Sequence, residues 1–440
     1  MDSTRHEHGN LLLLLGAMLA LGLAAAFATG LTGQAARLAR DRASDRALAE
    51  AREALIAYAT SRPIDAQVGA GYLPCPDIDD DGWAEATCGS LSGHTGQSQR
   101  LGRLPWKTLG IERLRDGYGE PLWYAVSTRH KGLLNCAAST TCVDMGPDTA
   151  LGTITVRDAR GLAIHDGRIY DPARGSTGGA AAVVIAPGPP LERIEDAAGS
   201  RRWQVRDAPG DPTRYLDKAP GDRYADEDNA DFVDRTDVRA ANANGFIAGP
   251  VVLADGSVAV NDRIAVITPS DLMPRVMQRV AQEVLQCVRL QGLPAPATCG
   301  STEAATPGAR FGRVPAHIAR ACQLAPEEGP AWWNAWRRHV FYALDVQPVD
   351  ASGRNVGSPR PAAVLVAGPP MAGQAHGADA DADVSQWLEG PHRELERLNP
   401  ASLEARCSGV PSAPCAPGPC DRVVVAPAAA DRNDVVVLGP

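Results

Sequence analysis

"LLLLLGAMLALGLAAAFATGLTGQAARLARDRASDRALAEAREALIAYA" fills residues 11–59, and its two halves ask for one helix in two solvents. Residues 11–31 are 21 mostly apolar residues, and no charged side chain occurs between Gly9 and Ala36. At 1.5 Å rise per residue this run spans roughly 30 Å, the thickness of a bilayer's hydrocarbon core. From Gln34 to Ala59 there is neither proline nor glycine, and Leu38, Leu48, Leu55 and Tyr58 recur at near-helical spacing. Arg37–Asp41 and Arg46–Glu50 stand at i,i+4 and Arg42–Asp45 at i,i+3, a spacing that laces a polar face. Residues 11 to about 60 therefore read as one helix, about 75 Å long, its first half in lipid and its second half amphipathic.

Two features compete with that reading. Ala26-Phe27-Ala28 fits the A-x-A site of a cleavable signal peptide. Arg5 precedes the apolar run whereas Arg37, Arg40, Arg42 and Arg46 follow it, so the positive-inside rule alone would place the carboxyl side in the cytoplasm. The cysteines argue the other way. Ten of them, an even number, are scattered through the chain without any CxxC pair, a pattern suited to disulfides in an oxidising compartment. The expected pairs are Cys75–Cys88, Cys136–Cys142 and Cys415–Cys420, followed by Cys287–Cys299 and Cys322–Cys407. No paired Cys/His spacing suggests a zinc site.

With 440 residues, 44% of them hydrophobic, the chain can build two or three domains. A net charge of −9 does not favour a nucleic-acid surface. The 44 glycines and 35 prolines predict short strands and long loops. A weak internal repeat organises them. A helix at 44–61 is followed by "RLGRLPW" (100–106), "PLWYAVS" (121–127), "AAVVIAPGPPL" (181–191) and "RYLD" (214–217). A second helix at 273–292 is followed by "RFGRVP" (310–315), "HVFYALD" (339–345), "AAVLVAGPPMAG" (362–373) and "QWLEG" (386–390). The endings "NDRIAVITP" (261–269) and "CDRVVVAPA" (420–428) read as equivalents, with a hinge at 268–275 between Pro269 and Pro274. Each unit is then a helix laid across an antiparallel sheet.

"CPDIDDDGWAEATC" (75–88) sets Asp77, Asp79, Asp81 and Gly82 in the D-x-D-x-D-G order of a calcium loop. Trp83 would offer its carbonyl and Glu85 takes the ninth position, but Cys88 stands where a bidentate glutamate belongs. Calcium held by Asp77, Asp79, Asp81 and Glu85 is one expectation, and a solvated turn clamped by a disulfide is the other. Asp226, Glu227 and Asp228 in the acidic run 222–237 offer a second cation site. Trp332, Trp333 and Trp336 beside Arg337 and Arg338 offer a surface for a glycan or nucleic acid. His165 and Asp166 lack a G-x-S-x-G elbow, and no catalytic constellation is evident, so an enzyme is not expected.

A membrane-embedded start to one long helix, followed by an extracytoplasmic α+β head, resembles the type IV pilin and type II secretion pseudopilin superfamily. The resemblance covers residues 1–60, and "LPCPD", "GRLPW" and "LWYAVS" look like its large pilin-like members. It implies a leader at 1–9 removed by a prepilin peptidase between Gly9 and Asn10. Asn10 takes a place the family gives to Phe or another apolar residue, and Leu14 the place of the mature fifth-position glutamate. Loss of that glutamate suits a tip subunit. The implied architecture is an α+β chain with a transmembrane half-helix at 10–33, a first pilin-like head lobe at 34–268 and a duplicated helix-plus-sheet lobe at 269–440. The implied setting is a single-pass inner-membrane protein with a cytoplasmic amino terminus and a periplasmic or extracellular head, contacting other pilins or pseudopilins through the helix. The competing function is a non-polymerising, membrane-anchored periplasmic binding protein for a glycan, protein or nucleic acid.

Overall fold

The computed structural model describes residues 4–62, 64, 69–86, 88, 100–127, 130–131, 145–167, 170–171, 176–195, 200–232, 245–298, 305–322, 324, 332–377, 383–399, 421–425 and 432–440. In 4–33 the description is of the backbone and of Met18. The fold is mixed α+β, with several small, largely antiparallel sheets and few helices.

Helix α1 (Thr4–Ser61) is continuous over 58 residues. Its buried face begins at Ser44 and runs through Ala47, Leu48, Ala51, Leu55, Ile56 and Ala59, the i, i+3, i+4, i+7 spacing of a helix on a sheet. Leu38, expected on that stripe, is exposed, because the helix first meets the head at Arg40 and Asp41, beyond it. Asp41 and Asp45 turn across to Arg263, at 3.6 and 2.7 Å, instead of lacing α1 to itself. Among the described residues no helix is long and apolar enough to cross a membrane, and the side chains of 11–17 and 19–33 lie outside the description.

Strands β1 (Leu101–Arg103), β2 (Trp123–Val126), β3 (Ala182–Ala186) and β4 (Arg263–Ile267) form an antiparallel sheet in that order. Their side chains alternate between two apolar layers. Tyr124, Val126, Ala182, Val184, Ala186 and Ile267 pack with α1. Trp123, Ala125, Val183 and Ile185 pack under Tyr215, Leu216, Phe232 and Phe246. Covering both faces is why β2 and β3 read as unbroken apolar runs and not as alternating ones.

The second unit repeats this register. Helix α2 (Pro269–Leu290) lies against β5 (Phe311–Arg313), β6 (Val340–Val349), β7 (Arg360–Val366) and a final edge strand. Leu101, Gly102 and Arg103 oppose Ala125, Tyr124 and Trp123; Phe311, Gly312 and Arg313 oppose Ala343, Tyr342 and Phe341. Arg103 lies 4.0 Å over the Trp123 ring and Arg313 3.8 Å over Phe341. Tyr124 donates to the Pro74 carbonyl and Tyr342 to the Pro294 carbonyl. This makes "LPCPD" (73–77) the counterpart of "LPAPA" (293–297).

Two expectations are corrected. The segment 268–275 is not a hinge: Thr268 caps α2 in a reciprocal capping box with Asp271, and Pro269 takes the first helical position. The strand equivalent to β4 is not 420–428. Strand β8 (Arg422–Val424) pairs in parallel with the far end of β6, whereas β9 (Val435–Leu438) closes the sheet beside β7. The true echo of "NDRIAVI" (261–267) is "NDVVVLG" (433–439).

The helices α1 and α2 share one apolar cluster with the inner faces of both sheets. Arg52 reaches Asp271 at 2.6 Å and Arg275 reaches Glu53 at 3.0 Å across the helix pair. Burial of Leu48, Leu55 and Ile56 contributes roughly 2 kcal/mol each.

Candidate functional site

The aspartate loop is fixed from below by a disulfide between Cys75 and Cys88 and by a two-way backbone pairing of Asp77 with Arg103. Asp77 is fully buried; its carboxylate accepts the Gly82 N–H at 2.8 Å and the Asp81 N–H at 3.2 Å. Gly82 has φ +92°, and a Cβ there would come within 2.6 Å of the Trp106 ring nitrogen. Glycine is required there on both counts. Asp80 forks onto Arg113, with one oxygen at 2.6 Å.

Donor atoms of Asp77, Asp79 and Glu85 converge within 4.8 Å of one another, a set compatible with a hard cation. Asp81 is not among them: its carboxylate accepts the Trp83 N–H at 2.7 Å, so the D-x-D-x-D order closes the turn at its third member. Burial lifts the Asp77 carboxyl to about 6, against the pull of the Gly82 N–H. A proton therefore competes for this oxygen in mild acid.

Other expected sites take different forms. Trp332, Trp333 and Trp336 are all buried, and the Trp336 ring nitrogen donates to the Met145 carbonyl at 2.7 Å. They join two parts of the core and present no stacking surface. Asp226, Glu227 and Asp228 do not converge on a cation either. Glu227 is held by Arg157 at 2.9 Å, Asp228 by Arg193 at 2.6 Å, and Asp226 accepts the Gly221 N–H at 2.6 Å. Cys287 pairs with Cys322, not with Cys299, so the expected Cys322–Cys407 bond is excluded too. Cys136, Cys142, Cys299, Cys407, Cys415 and Cys420 lie outside the described residues. Gly9 and Asn10 fall within the backbone of α1.

Each unit also carries a buried polar nest that sequence reading missed. In the first, Asp262 accepts the Asp217 N–H at 2.8 Å and the Asn229 amide at 2.8 Å. Gln204 donates to Asp217 at 2.9 Å, and Asn261 donates to the Pro189 carbonyl at 2.7 Å. In the second, Asp434 accepts the Glu389 N–H and faces His392 Nδ1, both at 3.0 Å. Gln374 donates to Glu389 at 2.9 Å, and Asn433 donates to the Pro369 carbonyl at 2.7 Å. Burial raises Asp217, Glu389 and Asp434 to about 7 each and Asp262 well above its ordinary value. It lowers His392 to about 4. The repeated Asn-Asp dipeptide at 261–262 and 433–434 was the available signal.

A third cluster joins the two units. Asp148 faces His376 Nδ1 at 2.8 Å and His339 Nε2 at 3.3 Å. The His376 ring stacks on Trp387 at 4.2 Å, and His339 meets the same indole edge-on at 5.0 Å. Burial opposes charge on Asp148, but the two imidazoles prevail and hold its carboxyl below the usual range. Sequence spacing gives no sign of this grouping, because its members are far apart along the chain.

No family model, curated protein or solved structure matches this chain.

Proposed function

We propose that the chain is a membrane-anchored minor or tip subunit of a type IV pilus or type II secretion-like assembly, with a structural and partner-binding role. The observation that carries this reading is α1. Its carboxyl half buries one face on an antiparallel sheet, whereas residues 34–40 are exposed and lead away from the head toward the apolar run 11–31. A helix so divided serves as anchor and packing rod at one end and as core at the other. In this reading α1 packs against other pilins or pseudopilins in the inner membrane, and the two-unit head stands in the periplasm or beyond it. The Cys75–Cys88 and Cys287–Cys322 bonds suit an oxidising compartment. Calcium held by Asp77, Asp79 and Glu85 would neutralise three crowded carboxylates on one face of the head. Leu14, in place of the assembly glutamate, favours a terminal position.

Processing tests the proposal directly. Amino-terminal mass analysis of protein extracted from membranes should give a chain beginning at Asn10. An intact Met1, or a start near Thr29, would sink the pilin reading, and the latter would identify an ordinary signal peptide.

A further inference from the structure

We infer that Asp148, His339 and His376 form a binding site for one divalent transition-metal ion of the zinc class, and that the ion staples the two sheet units together. The geometry of His339 is the starting point. Its Nδ1 lies 3.1 Å from the Ala367 carbonyl, which can only accept, so Nδ1 carries a proton. In the neutral ring Nε2 is then a bare lone pair. That lone pair faces the Asp148 carboxylate at 3.3 Å, an approach that calls for a positive charge between them.

His376 supplies an independent observation. Its side chain is 2% exposed, and its Nε2 has no hydrogen-bond partner among the described residues. A buried, unpartnered ring nitrogen costs free energy. Among the described residues the ring's polar contact is made through Nδ1 alone, which faces Asp148, so Nδ1 is the nitrogen offered to an ion.

Donor chemistry and one of the two distances fit. Two ligands each about 2.0–2.1 Å from a tetrahedral zinc stand about 3.3 Å apart. The His339–Asp148 separation of 3.3 Å matches that spacing, whereas the 2.8 Å from His376 to Asp148 is a hydrogen-bond distance that an ion would widen; all three donor atoms lie within 4.8 Å of one another. Imidazole nitrogens select zinc, copper or nickel over calcium or magnesium. The bond from His339 to Ala367 is the outer-shell contact that orients a metal-bound imidazole. Asp148, with 29% of its side chain exposed, gives the ion access from solvent and leaves a fourth position for water. Asp148 belongs to the first unit and both histidines to the second. The ion would reinforce the contact that Trp336 already makes with Met145.

The test uses the full chain in detergent, stripped with a chelator and titrated with cobalt(II) and then with zinc. One cobalt ion per chain should bind, with the visible absorption of a tetrahedral site, and zinc should displace it. His376→Ala, His339→Ala and Asp148→Asn should each weaken binding at least tenfold while circular dichroism stays unchanged. Where an alanine variant misfolds, His376→Gln and His339→Gln replace it. Absence of saturable cobalt binding would overturn the site and leave a proton shared between carboxylate and imidazole as the positive charge. Equal affinity in wild type and folded variants would place the ion elsewhere and would also overturn it. Neither outcome bears on cleavage at Gly9.

Discussion

The two sheet units share their frame and differ at their rim. Tyr124 and Tyr342, Arg103 and Arg313, Asp262 and Asp434 occupy equivalent places in register and make equivalent bonds. At the position where the first unit has Asp77, each paired both ways with the arginine of the edge strand, the second has Ala297. The aspartate loop has thus been built on one copy of a backbone pairing that both retain. Duplicated bonds are those without which the cover on the outer sheet face would leave polar groups unpaired. Divergence reaches buried positions too, Asp77 against Ala297 and Asn229 against His392, where each polar side chain finds its own partners inside the protein.

The nests offer the hardest test of this equivalence. Asp262→Ala strands the Asp217 N–H and the Asn229 amide, and Asp434→Ala strands the Glu389 N–H and His392. At about 1–3 kcal/mol for each stranded group, each variant should lose about 2–6 kcal/mol in urea unfolding. Hydrogen exchange should show the loss in the mutated unit first. If one aspartate can be removed without measurable cost, the two nests are not equivalent.

Next in size is the edge strand. A Cβ on Gly312 would stand 2.2 Å from the Ala297 carbonyl oxygen, and on Gly102 2.6 Å from that of Asp77. Both alanine variants should be destabilised by about 1–3 kcal/mol, Gly312→Ala more than Gly102→Ala, in paired denaturant melts.

Acidity should separate the units. Asp217, Glu389 and Asp434 have folded values of about 7, above the unfolded carboxylate range. Their stabilisation is complete below about pH 4 and is lost as pH rises through 7. The head should therefore melt higher at pH 6.5 than at pH 8. His392 acts in the opposite sense: lowered to about 4, it contributes stability above about 6.5 that is lost as pH falls through 4. The first unit has Asn229 in that place and should gain below pH 6.5 from both its raised carboxyls, whereas in the second the His392 cost offsets one of the two, so its gain should be about half as steep. His392→Asn should steepen the second unit's gain toward that of the first; an unchanged profile would remove His392 as the cause of the difference.

The smallest effect concerns the rim. Millimolar calcium should raise the melting temperature by a few degrees, about 1.4 kcal/mol at ten times Kd, with magnesium doing less. Asp79→Ala should remove the response, and protonation of Asp77 should weaken it below about pH 6. Equal melting of wild type and variant in calcium and in chelator would reduce the loop to a disulfide-closed turn.

Local chemistry sufficed for what the sequence announced. The helix from Gln34 through Ser61 follows from a run without proline or glycine, the buried strands from β-branched runs, and the Cys75–Cys88 turn from proximity along the chain. The α+β class and the order of the first three repeated strands were legible for the same reason. Tertiary structure decided whatever depends on long loops closing. Cys287 chose Cys322 over the nearer Cys299, Asp81 turned to its own backbone, and the tryptophans went inward. "NDVVVLG" took the place in the sheet for which "CDRVVVAPA" had the more similar letters. Asp148, His339 and His376 became neighbours only when the two units docked. Spacing along a chain records what one helix or strand can hold together; partners brought from distant segments are selected by the shape and burial of the finished core.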